Sequence, residues 1–104
     1  MATTKEYLNC IKEQLSHIEG IRYKAMMGEY LIYYKDRLAG GIYDNRLLVK
    51  PVKAAIALMP DAPYEPPYEG AKQMLLVTET ENRKFTQRLF ETMYEELPLP
   101  KKKK

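Results

Sequence analysis

The sequence predicts an α+β domain in two layers, an antiparallel meander sheet with helices packed on one face, in the order α-β-β-β-β-α-β-α. Three observations predict it. Apolar residues recur at helical spacing near both ends of the chain, as Leu8, Ile11, Leu15 and Ile18 and again as Phe85, Leu89, Phe90, Met93, Tyr94 and Leu97. Between them the period drops to two, in runs dense in tyrosine and β-branched side chains. The links between those runs are short, which suits hairpins between successive strands rather than crossovers.

Each element has a local reason. Thr3 followed by Glu6 reads as a capping box that starts the first helix, and Gly20 supplies a residue free to take the left-handed stop. Ile21, Tyr23, Ala25 and Met27 then alternate with Arg22, Lys24 and Met26 as a half-buried strand. Gly28 and Glu29 break it, and Tyr30 to Tyr34 forms the second strand. Lys35, Asp36 and Arg37 turn the chain into a third over Leu38 to Tyr43, where Gly40 and Gly41 mark a bulge or a close backbone approach. Asp44 and Asn45 tolerate positive φ and suit a tight hairpin into Arg46 to Lys50. Pro51 is suited to open a short helix striped by Val52, Ala55, Ile56 and Met59. Residues 60–70 read as an extended Pro-rich loop, and Lys72 to Thr78 as a fifth strand. Thr78 and Glu81 repeat the capping-box pattern ahead of the last helix, which Pro98 and Pro100 stop. A single domain over residues 1–97 with a disordered Pro/Lys-rich tail at 98–104 is the expected organisation.

Composition narrows the function. The formal net charge of +3 belongs to the tail, because Lys101 to Lys104 supply four of the 17 basic residues against 14 acidic ones. The basic balance therefore does not describe the folded body. One cysteine excludes an internal disulfide, and the longest apolar run, Ala54 to Met59, is far short of a bilayer span. No signal-like stretch opens the chain, so a cytoplasmic location is expected.

Residues for chemistry are few. Cys10, Ser16 and His17 are the only cysteine, serine and histidine, and the last two point about 100° apart on a helix, so the hydroxyl is not presented to the imidazole. The expected reading is a small buried thiol and a surface histidine near Glu13. No catalytic set, metal site or cofactor is expected, and Gly40-Gly41 lacks the strand-to-helix setting of a phosphate loop. Glu65 and Glu69 flank Tyr68, and Glu91, Glu95 and Glu96 close the last helix, where acids oppose its dipole; a solvated face or an acidic docking surface would account for them.

Two surfaces remain as candidates. With Ile21, Tyr23, Leu47 and Val49 inward, the opposite sheet face carries Arg22, Lys24, Arg46 and Lys50, joined by Leu31 and Tyr33. Arg22, Lys24, Tyr33, Arg46 and Lys50 would make a basic-aromatic nucleic-acid site, or an ordinary solvated face. Nine tyrosines suit a protein interface, with Tyr33, Tyr64 and Tyr68 as the candidate partner contacts and Tyr7, Tyr23 and Tyr94 as core margin. Such a protein would have a protein partner, with a homodimer as one form of it.

The run from Tyr23 to Tyr34 (YKAMMGEYLIYY) resembles the N-terminal domain of the TfoX/Sxy family, in which a basic, Met-containing strand runs through a Gly into a Tyr-rich strand. The run from Gly41 to Lys50 (GIYDNRLLVK) is similar to the family's acidic turn and Arg-Leu strand, and Pro67 to Gly70 and Tyr94 to Leu97 continue the likeness. The resemblance implies a two-layer α+β domain and a regulator of DNA-uptake competence that acts with the transcription machinery and not as an enzyme. The competence regulators add a C-terminal helical domain, so a stand-alone domain is expected here.

Overall fold

The computed structural model describes residues 3–98. The expected tail at 98–104 lies outside the described residues from 99 onward. Helix α1 spans Lys5–Gln14, followed by strands β1 (Ile21–Met26), β2 (Glu29–Tyr34), β3 (Arg37–Ile42) and β4 (Leu47–Val49). Helix α2 (Lys53–Leu58), strands β5 (Tyr64–Glu65) and β6 (Met74–Leu76), helix α3 (Arg83–Met93) and a 3-10 turn at Tyr94–Glu96 complete the fold. The six strands form one antiparallel sheet in the order β1-β2-β3-β4-β6-β5. The α+β meander is as the sequence predicts, with β5 added from the middle of the Pro-rich loop.

Three two-residue turns set the meander. Met27-Gly28, Lys35-Asp36 and Asp44-Asn45 all have positive φ at both positions, between 50° and 87°. That is the geometry whose twist matches right-handed strands. Strand parity then places Ile32, Tyr34, Ile42, Leu47, Val49 and Leu75 on one face, all buried. Against them pack Leu8 and Ile11 of α1, Ala55 of α2, and Leu89, Phe90 and Met93 of α3, forming one continuous core. Tyr7, Tyr23 and Tyr94 sit at its margin.

Glycine is required at two points in β3. The register slips between Ile32↔Gly40 and Tyr33↔Leu38, leaving Ala39 as a bulge. There a Cβ on Gly40 would strike the Leu48 carbonyl and come within 2.7 Å of Val49 Cα. A Cβ on Gly41 would lie 2.6 Å from the Tyr43 ring, so the missing side chain is what lets that ring lie across the sheet.

The helix ends depart from the sequence pattern. Thr4, not Thr3, caps α1, its hydroxyl accepting from Tyr7 N at 3.1 Å. Thr3 is drawn instead into the hairpin end of the sheet, where its N–H donates to Gly28 O and its hydroxyl to Glu29 Oε1 at 2.7 Å. Helix α1 stops at Gln14 rather than near Gly20, because the Ser16 amide and hydroxyl both bond Glu13 O (3.2 and 2.7 Å) and divert the chain into turns. Leu15 and Ile18 stay buried through those turns. Helix α2 opens after Val52, leaving Pro51 outside it; its stripe runs through Ala55, Leu58 and Met59, while Ile56 is exposed. Asn82 caps α3 in place of the Thr78/Glu81 box, its Oδ1 accepting from Phe85 N. Cys10 is exposed, not buried, because two positions along a helix from Leu8 is the far side from the core stripe. No helix among the described residues is long and apolar enough to cross a membrane.

Two measurements test this packing. Met27 holds φ 51° at 98% exposure with no contact to compensate. Met27→Asn, which accepts that conformation more readily, is expected to stabilise the protein by about 0.5–1 kcal/mol in urea unfolding. Burial pushes the Tyr23 hydroxyl up to about 12, and burial also raises Tyr7 and Tyr43. Above pH 10 an unfolded tyrosine has lost its proton while the folded one keeps it, so the unfolded state binds fewer protons and stability falls as pH rises. The expected result is a progressive loss of stability between pH 10 and about 12, tracked by denaturation midpoints at each pH.

Candidate functional site

The face of the sheet away from the helices carries the candidate residues, and register places them. Lys24, Leu31, Gly41, Leu48 and Leu76 lie opposite one another across five strands, with Arg22, Tyr33 and Leu38 in the next row. A loop divides this face in two. Over β4 and β6, the Pro-rich segment folds back so that Pro67 is buried and the Tyr68 ring meets Tyr43 at 6.4 Å between centroids. Leu48 is fully buried although it points away from the helices. Over β1 to β3 the face stays open, with Leu31, Tyr33 and Leu38 half-buried and Met26 exposed.

Arg46 holds the loop in place. Its Nη1 donates to Glu65 Oε1 at 2.6 Å, its Nη2 to Pro67 O at 3.4 Å and its Nε to Tyr43 O at 3.2 Å. Both partners of the ion pair are about one-third exposed or less (26% and 34%), so solvent screens the pair only in part. On the open half, Arg22 pairs with Asp36 at 2.7 Å and stands over the Tyr33 ring at 5.6 Å, an exposed pair of little energetic weight.

The structure therefore brings together some of the expected residues and separates others. Arg22, Tyr23, Lys24, Tyr33 and Asp36 line one shallow groove of about 440 Å³. Arg46 is committed to the loop, and Lys50 lies half-buried against a second groove beside it. Tyr33 and Tyr68 share the helix-free face. Tyr64 does not: it lies opposite the core residue Leu75 and is exposed at the far sheet edge. Tyr43 was absent from the sequence reading of this face, and its signal was Gly41 two residues earlier, a gap on the same side of the strand.

The remaining polar residues are engaged in the scaffold. His17 Nε2 lies 2.8 Å from Arg83 O and Nδ1 3.3 Å from Arg83 Nη1, joining the turn after α1 to the start of α3. Glu96 accepts from Ala54 N at 2.8 Å, so this acid in the 3-10 turn after α3 serves the N-terminus of α2. Among the described residues no three His, Cys, Asp or Glu side chains come together as metal ligands.

Arg46→Ala removes both loop contacts, to Glu65 and to Pro67 O, together with the bond to Tyr43 O. It is expected to cost about 1–2 kcal/mol and to speed hydrogen exchange at Tyr64 and Glu65 more than in α1 or β2. Uniform acceleration across the chain would contradict a local pin.

No family model matches the chain, and no solved structure does. Among curated proteins, an uncharacterized 12.7 kDa protein in the trpE 5' region of Spirochaeta aurantia is 30% identical over 105 residues, a match that covers all of this chain and 91% of that protein. A likeness that covers the whole of this chain takes in every strand and helix of the fold, and the chain belongs to the same family as that Spirochaeta aurantia protein.

Proposed function

We propose that this is a small cytoplasmic, non-enzymatic regulatory or adaptor protein that docks another protein on the open half of the helix-free sheet face. The observation that carries the reading is the asymmetry of that face. One half is roofed by the Pro-rich loop, while the other leaves Leu31, Tyr33 and Leu38 accessible beside Arg22 and Lys24. Aromatic and aliphatic side chains rimmed by cations suit a partner with an apolar centre and an acidic rim. The resemblance to the TfoX/Sxy N-terminal domain supports a regulatory role, with the transcription machinery as the partner class and DNA-uptake competence as the pathway. Tyr64, at the opposite sheet edge, is then outside the docking surface.

A nucleic-acid reading has one observation in its favour, the groove in which Arg22 and Lys24 flank Tyr33. Asp36 and Glu65 pair with two of the four cations proposed for it, which weakens the field that such binding needs. The test is affinity capture from host lysate, with and without nuclease, using the Lys101–Lys104→Gln protein so that the tail gives no signal. Nuclease-resistant recovery of a defined protein, reduced about tenfold or more by Leu31→Ser with Tyr33→Ser while the thermal midpoint holds, is the expected result. Recovery that collapses on nuclease treatment moves the function to nucleic acid. An unchanged partner set in the double variant rejects this face.

A further inference from the structure

The roofed half of the helix-free face encloses a groove of about 370 Å³ between β3, β4 and the Pro-rich loop. Its walls include Leu38, Tyr43, Lys50, Pro67, Tyr68 and Lys72. We propose that this groove binds a small planar aromatic anion, a single ring carrying one carboxylate or phosphate. The site shares Leu38 with the docking surface and otherwise lies on the roofed half, away from Leu31 and Tyr33.

Four observations point to that ligand class. The groove contains two cations and no carboxylate: Lys50 and Lys72 line it, and among the described residues neither forms an ion pair. Lys50 follows β4 and Lys72 precedes β6, so an anion in the groove is attracted from both sides. Tyr43 is buried as a residue, yet its hydroxyl makes no hydrogen bond with any described residue and is not enclosed, with the Glu29 carboxylate as its nearest negative neighbour. A buried ring ending in a solvent-accessible hydroxyl offers a donor that can exchange its water for a ligand acceptor. Tyr43 and Tyr68 both line the groove with their rings tilted at 60° to one another, so aromatic surface is part of its wall. Finally, the groove is built and not incidental: Gly41 makes room for Tyr43, and two hydrogen bonds of Arg46, to Glu65 and to Pro67 O, fix the loop that forms the outer wall. The volume falls in the range of small-ligand sites and accommodates one ring with its acid group.

The experiment is an amide NMR titration of the full chain with benzoate and with phenyl phosphate, against cyclohexanecarboxylate, acetate and inorganic phosphate. Saturable shifts at Gly40, Tyr43, Lys50, Tyr68 and Gln73 are expected below about 10 mM with one or both aromatic anions, and which of them binds tighter assigns the acid group. Cyclohexanecarboxylate is expected to bind about fivefold or more weakly, having no π-face. Lys50→Gln is expected to weaken the aromatic anion about tenfold, and Tyr43→Phe, which keeps the ring, about three- to tenfold. Lys72→Gln, an exposed change that leaves the fold intact, gives the same direction if Lys50→Gln is poorly folded. The proposal is overturned if no aromatic anion gives saturable shifts, if acetate or inorganic phosphate binds as well, or if the lysine variants bind unchanged.

Discussion

Register in the four-stranded meander is the constraint from which the rest of the molecule follows. Side chains alternate along a strand, so a slip of one residue would send Ile32, Tyr34, Ile42, Leu47 and Val49 to the wrong face and leave the three helices nothing to pack on. Three two-residue turns prevent that slip, each with both residues at positive φ. Asp44-Asn45 holds this conformation with residues that favour it. Met27 and Lys35 hold it without that advantage, so the strand pairing on either side imposes the turn. Lys35 recovers part of the cost, since its N–H donates to Gly20 O at 2.8 Å and its ammonium lies 5.2 Å from the Tyr34 ring.

A second consequence of register is the organisation of the helix-free face. Gly41 falls on that face between Leu31 and Leu48, and the Tyr43 ring lies across the space it leaves. The ring in turn gives the Pro-rich loop an aromatic surface to settle against through Tyr68. Arg46 emerges two residues after Asp44, on the strand flank nearest the loop, and its planar guanidinium reaches a carboxylate and two carbonyls at once. The face thereby acquires two halves of different character, one open and apolar with a cationic edge, the other concave and roofed.

Three acidic side chains, Glu29, Glu65 and Glu96, are tethers between elements. Glu29 Oε1 accepts from the Thr3 amide and hydroxyl and from Asp44 N, joining the chain start to two hairpin ends. Asn45 Oδ1 accepts from Thr4 N at 3.0 Å, tying the same hairpin to the cap of α1. Glu65 holds Arg46, and Glu96 caps α2. Each bond spans residues far apart in sequence, and hydrogen bonds to ionised acceptors are stronger than neutral ones.

Features that depend on neighbours a few residues apart are legible in the residue pattern. The 3.6 and 2.0 periods of Leu8 to Ile18, Tyr30 to Tyr34 and Phe85 to Leu97 are local, and they suffice for the α+β class, the element order and the inward faces. Asp44-Asn45 is likewise a turn signal carried by two residues, and Gly40-Gly41 announced a close approach. Tertiary structure alone decided which threonine caps α1, because Thr3 has a better acceptor in Glu29, a residue the chain brings back only after β1. It decided that α1 ends at Gln14 and that Tyr64–Glu65 becomes a strand, since β5 exists only where β6 offers it an edge. It also decided which cations remain available, because the partners of Arg22 and Arg46 lie 14 and 19 residues away. Charge pairing over such separations is a property of the folded surface, which is why the candidate site was only half legible in the sequence while the fold was legible almost throughout.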